Sequence, residues 1–131
     1  MPADSDARQP FAYALLRVVP RVERGERLNA GVALYCRRHD FLELRTHLDA
    51  ARLAALAPDL DPEPVRSHLD ALRVVVAGDC AGGAVAALER SERFGWLVAP
   101  SSTIIQPSEV HTGMTDDPRA TLDRLFYTLV V

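Results

Sequence analysis

Three apolar runs separated by short polar breaks fill the first third of the chain, and successive strands at that spacing form a meander. The first, FAYALLRVV from Phe11 to Val19, is rich in aromatic and branched residues and lies between Pro10 and Pro20. A charged turn, RVERGER, is centred on Gly25. The second run, LNAGVALYC from Leu28 to Cys36, reads as a strand with Gly31 at a bulge or a close backbone approach. After a turn around His39 and Asp40, FLELRT alternates apolar and polar residues with period two.

The middle of the chain changes period. Leu53, Leu56 and Leu60 lie in an Ala-rich stretch that Pro58 interrupts. A longer helix is predicted from about Glu63, with Pro62 and Pro64 near its start and Val65, Leu69, Leu72 and Val76 at helical spacing. Gly78 suits its C-cap, GDCAGGA reads as a flexible turn, and AVAALERSERF as a short helix. SSTIIQ predicts a fourth, short strand that Pro107 ends. Thr115, Asp116, Asp117 and Pro118 open a C-terminal helix whose stripe of Leu122, Leu125, Phe126, Leu129 and Val130 should pack on the sheet. The predicted class is α+β, with a mostly antiparallel sheet of about four strands, the N-terminal meander plus the later short strand, and helices packed on one face. Residues 1–9, polar and aperiodic, are expected to form a disordered tail ahead of a single domain spanning 10–131.

Composition narrows the function classes. At 131 residues the chain suits one globular domain. A net charge of −3 disfavours nonspecific nucleic-acid binding, and aromatic residues, at 6%, leave base stacking little to draw on. No apolar run approaches the roughly 18 residues that span a bilayer. Cys36 and Cys80 are too few for a disulfide framework, and the start MPADSDARQP carries no basic-plus-apolar signal segment. A cytoplasmic protein with reduced thiols is expected.

Rare residue types mark two segments. All 15 basic residues are Arg, the only Asn is Asn29, the only Ile residues are Ile104 and Ile105, and Gln occurs only at Gln9 and Gln106. Arg24 and Glu26 at the tip of the first turn, with Asn29 just beyond, supply a cation, an acceptor and an amide in a short span. From Ser101 to Gly113 only Glu109 and His111 are ionisable, while Ser102, Thr103, Gln106, Ser108 and Thr112 supply neutral donors and acceptors. His111 is the residue there whose charge changes near neutral pH, so it is the first candidate for an acid or base. Against a ligand site stands the tendency of Ser, Thr, Asn and Asp to bond local backbone and cap their neighbours.

Other motifs are weaker. Gly78, Cys80 and Gly82 imitate a nucleophile elbow that would need His111 and Asp116, yet that fold requires a large parallel sheet and only about four strands are readable. A P-loop is excluded by the absence of Lys, and the glycines lack the dinucleotide-binding spacing. His39 with Asp40, His47 with Asp49, and His68 with Asp70 lack metal-site spacing, so neither a metal nor a cofactor is expected.

The opening YALLRVVPRVERGERLNAGVALYC and the closing RFGWLVAPSSTIIQPSEVHTGMTDDPRATLDRLF resemble the two ends of a small bacterial domain-of-unknown-function family. Its marks are an Arg-Gly-Glu turn before an Asn-x-Gly-Val strand, then a Ser-Thr-Ile-Ile-Gln-Pro-Ser and Val-His-x-Gly run. Ser101 and Glu109 depart from the Arg and Pro that the resemblance implies, which argues against an anion-binding role for that loop. The resemblance implies no established activity; it does imply association with kinase-like proteins of the persistence-toxin type, which suits an accessory or regulatory partner.

Three functions follow for comparison with the structure. One is a noncatalytic binding or regulatory module, whose recognition surface for a protein partner or small polar ligand combines the 24–31 turn with the 101–113 loop through Arg24, Glu26, Asn29, Ser102, Thr103, Gln106, Ser108 and His111. Another is a small hydrolase or transferase with His111 as general base, Glu26 orienting it, and Arg24 or Ser102 holding an anionic group. In the last, the polar residues are architectural, with Asn29, Gln106 and His111 pinning the strands.

Overall fold

The strands of the meander are apolar on both faces. In β1 (Gln9–Val18), Phe11 and Leu15 alternate with Leu16 and Val18 across a change of side, and β2 (Leu28–Cys36) sends Val32 and Leu34 one way and Ala33 the other. Strands of that kind need cover on both sides. The computed structural model, which describes residues 8–131, provides it. Residues 1–7 of the expected tail lie outside the described residues, and Gln9 already belongs to β1.

β1 pairs antiparallel with β2, and β2 with β3 (Phe41–Thr46). The β1–β2 register slips where Leu16 faces Gly31 but Arg17 faces Asn29, which leaves Ala30 as the extra residue of a bulge. A Cβ on Gly31 would lie 3.2 Å from the Arg45 carbonyl oxygen, so the glycine predicted at a close approach serves there. The other edge of β1 is shared. β4 (Ile105–Pro107) pairs with Leu16–Val18, and β5 (His111–Thr115) pairs with Gln9–Tyr13, both antiparallel. The sheet thus has five strands where about four were expected, and Pro107 closes β4 from inside it.

Among the described residues four α-helices flank the sheet: α1 (Ala50–Leu56), α2 (Pro62–Val76), α3 (Arg90–Val98) and α4 (Pro118–Leu129). Leu53, Val65, Leu69, Phe94 and Leu97 of the first three join Leu16, Val18, Ala33 and Leu44 in one core. Leu122, Phe126 and Val130 close a second core with Phe11, Leu15, Val32, Leu34 and Cys36 on the opposite face. The expectation of helices on one face is therefore corrected to both, within the α+β class. Each fully buried Leu contributes about 1.5–3 kcal/mol, so α4 alone holds a sizeable part of the fold. Arg45 fixes its position further, pairing with Asp123 while its guanidinium lies 4.2 Å from the centroid of the Phe126 ring.

Local signals set the element ends. Asp49 accepts a hydrogen bond from the Arg52 N–H to cap α1, and Asp117 accepts one from Ala120 to cap α4. Gly78, with φ +76°, follows the end of α2. The stretch read as one helix from Ala84 to Phe94 is divided, because Leu88 and Glu89 are extended between a short 3-10 turn at Val85–Ala87 and α3. Among the described residues no helix is long and apolar enough to cross a membrane.

Candidate functional site

The first marked segment is closed on itself. Gly25, with φ +71°, makes the bend, and the Arg24 Nε and Nη2 donate to the two carboxylate oxygens of Glu26 at 2.7 and 3.2 Å. That bidentate pair holds the Glu26 carboxyl below its ordinary range. Arg24 faces a recess of about 450 Å3 between the turn and the α1–α2 connection, lined also by Pro20, Arg21, Leu56 and Leu60. No hydrogen bond or ion pair among the described residues joins Arg24 or Glu26 to the 101–113 segment.

Within that segment most polar groups are spent on backbone. The Thr103 hydroxyl donates to the Ile105 carbonyl at 2.9 Å and the Gln106 amide donates to the Thr103 carbonyl at 2.9 Å, which folds the approach to β4. Ser101 pairs with Thr103 at 2.9 Å, and Ser102 is exposed. Ser108 is buried. Its N–H donates to the Leu15 carbonyl at 2.8 Å, its Oγ accepts from the Leu15 N–H at 2.9 Å, and the same hydroxyl donates to the Glu109 carbonyl at 2.8 Å. Three residues, 108–110, pass beside β1 between its two edge partners. Ser108 supplies there the acceptor that a continuous strand would have supplied from its backbone.

The glycine and asparagine of the motifs act similarly. Asn29 Nδ2 donates to the Leu129 carbonyl at 3.0 Å, tying β2 to the last turn of α4, whose carbonyls have no partner within the helix. A Cβ on Gly113 would stand 2.7 Å from the Phe11 ring, so only glycine lets that ring lie over β5.

What remains open is a strip on the α4 side of the sheet. Arg17 lies between Asn29 on β2 and Gln106 on β4, three residues abreast across paired strands. Arg17 is half-buried and makes no hydrogen bond or ion pair within the usual limits among the described residues. Four residues along β1 from Arg17, the His111 ring packs on Tyr13 with centroids 5.2 Å apart, and its Nε2 is 3.6 Å from Glu109 Oε1. The Glu109 carboxyl is held below its ordinary range, chiefly by a hydrogen bond from its own backbone, and also by the charges of Arg17, His111 and Arg27. The structure thus brings Asn29, Gln106, Glu109 and His111 to one neighbourhood, and sets Arg24 and Glu26 in another by their contacts. The carboxylate paired with His111 is Glu109, while both oxygens of Glu26 are engaged by Arg24.

Arg17 and Tyr13 were missed by sequence reasoning, although Arg17 is the one charged residue in the ten of β1, a signal that was legible. Cys80 stands in a 3-10 turn after α2, capped by the Asp79 carboxylate, and not on a strand-to-helix elbow. Among the described residues no three His, Cys, Asp or Glu side chains converge as a metal site would require. Comparison with known proteins matches residues 13–130 to the family described as "Protein of unknown function (DUF3037)"; neither the curated proteins nor the solved structures gave a match.

Proposed function

Because the chain belongs to the DUF3037 family, whose description names no activity, the function has to be argued from its own surface, and we propose that it is a noncatalytic binding or regulatory module that recognises a protein partner. In this reading the marked residues divide the work. Asn29, Thr103 and Ser108 frame the sheet, and Arg17, Gln106 and His111 form the recognition strip, while the Arg24–Glu26 turn stands apart from it. The observation that carries it is Arg17: a half-buried guanidinium with five donors that makes no hydrogen bond or ion pair among the described residues, its charge felt by the nearby Glu109 carboxylate, set in a row of amide side chains. Such a fork matches a carboxylate bidentately, so the partner segment is acidic or rich in carbonyl oxygens.

Catalysis by His111 has less support. Its Nε2 has Glu109 nearby, but its ring packs at a tilt against Tyr13, and the hydroxyls of Thr103 and Ser108 are committed to backbone carbonyls. The test is affinity capture from cells of origin with the wild-type chain, Arg17→Ala and Arg24→Ala, followed by a direct affinity measurement. The expected outcome is a partner whose affinity falls about tenfold or more with Arg17→Ala, the effect of losing a charge-assisted hydrogen bond. Equal capture by wild type and Arg17→Ala contradicts the reading, as does a hydrolytic turnover that His111→Ala abolishes.

A further inference from the structure

The sheet carries a second polar recess, at the other end of β2 and on its other face. Tyr35, six residues along β2 from Asn29 and so roughly 20 Å away, packs on the α2–α3 side with its ring stacked 5.6 Å from that of Phe94. There a recess of about 780 Å3 opens between the β2–β3 turn and the start of α3, lined by Tyr35, Arg37, Asp40, Glu89, Arg90 and Arg93.

Its charges are unevenly matched. Arg93 donates through Nε and Nη1 to the carbonyls of Val76 and Leu88, so its charge is fixed in place with no carboxylate to neutralise it. Arg37 makes no hydrogen bond or ion pair among the described residues. Among the described residues Arg90 pairs only with Asp40, at 3.9 Å, and that carboxylate is 83% exposed. Arg37, Arg90 and Arg93, from two elements, thus line a space where two carboxylates, Asp40 and Glu89, only partly offset their charge, and the forks of Arg37 and Arg90 are the ones left open to a ligand. Ser91 adds a hydroxyl, and the Glu89 side chain leaves the first amides of α3 uncapped.

We propose that this recess binds the phosphate of a small phosphate ester, of the size of a nucleoside monophosphate. Guanidinium forks match phosphate oxygens bidentately. A phosphate dianion has oxygens enough to meet the open forks of Arg37 and Arg90 together, and the Arg93 charge, fixed on backbone carbonyls, adds to the positive field there. The volume falls in the usual range for small-molecule sites, and Tyr35 supplies an apolar wall for the ester group. The site is independent of the Arg17 strip and of the reading built on it.

The experiment is an amide-resolved NMR titration of the whole chain with AMP, adenosine and inorganic phosphate. The expected result is saturable binding of AMP, with shifts centred on Arg37, Arg90 and Ser91, and none with adenosine. Arg37→Ala, at an exposed position that leaves the fold intact, weakens AMP about tenfold. Asp40→Asn, which keeps a residue suited to the left-handed backbone at that position (φ 49°), strengthens it by removing a competing charge. Phosphate binding as tightly as AMP assigns the recognition to the phosphate alone, and weaker phosphate binding adds a contribution from the ester; both support the proposal. No saturable binding, equal binding of adenosine, or AMP binding unchanged by Arg37→Ala overturns it.

Discussion

Single residues at the shared edge of β1 carry consequences out of proportion to their size. Ser108→Ala leaves the buried Leu15 N–H without an acceptor, which costs about 1–3 kcal/mol. Urea unfolding checks this, and a loss below a few tenths of a kcal/mol would mean that the hydroxyl is dispensable. Gly113→Ala forces a methyl against the Phe11 ring, so a destabilisation of about 1–3 kcal/mol is expected from overpacking. Phe11→Leu in the same chain should recover part of it, since the clash is with the ring; no recovery would place the strain elsewhere. Asn29→Ala removes the bond that ties β2 to the end of α4, costs about 1 kcal/mol and lowers Tm by roughly 4 °C. Asn29 was marked in the sequence by its own rarity, and Ser108 and Gly113 by lying in a segment that rare residues marked. Rarity identified them but not their task, because a hydrogen bond from Asn29 to a carbonyl one hundred positions away has no local signature.

At the scale of elements, β1, β2, β3, the long α2 and α4 were legible because apolar period and capping agree within each. β5 was not legible: HTGMT is polar and mostly exposed, and it is a strand only because β1 offers it an edge. The placement of α4 on its own face was equally hidden, although the apolar residues on both faces of β1 and β2 required cover on both. Of the site, the His111 and Gln106 neighbourhood was legible from composition. The role of Arg17 depends on what lies beside it across two strands, which no single segment displays. The caps make a prediction about acid. The Asp49 carboxyl is lowered from its ordinary 3.8, first by its hydrogen bond from the Arg52 N–H, and that of Glu109 is lowered from 4.5. A carboxyl with a depressed folded pKa stabilises the fold above its unfolded value, and that contribution is lost as pH falls through the folded one. Stability measured by urea unfolding should therefore decline as pH drops below about 4.5. Asp49→Asn, which keeps the cap without the charge, should make the decline shallower; an unchanged slope would contradict the assignment to Asp49.

Across the whole molecule, α4 covers one sheet face over β2 and the Phe11 and Leu15 part of β1, and leaves the Arg17 end of β1 with Gln106 of β4 and His111 of β5 as polar side chains beside it. The frame residues hold that arrangement, and Arg17, Gln106 and His111 are what it displays. Residues that serve recognition contribute little to stability, whereas frame residues contribute much. The measurement that separates the two is the melting temperature of Arg17→Gln beside that of Asn29→Ala, since the two side chains face each other across paired strands. The account predicts that Arg17→Gln stays within about 0.5 kcal/mol of wild type while Asn29→Ala loses about 1 kcal/mol. If Arg17→Gln destabilises the fold as much as Asn29→Ala does, Arg17 belongs to the frame and the strip is not the recognition surface.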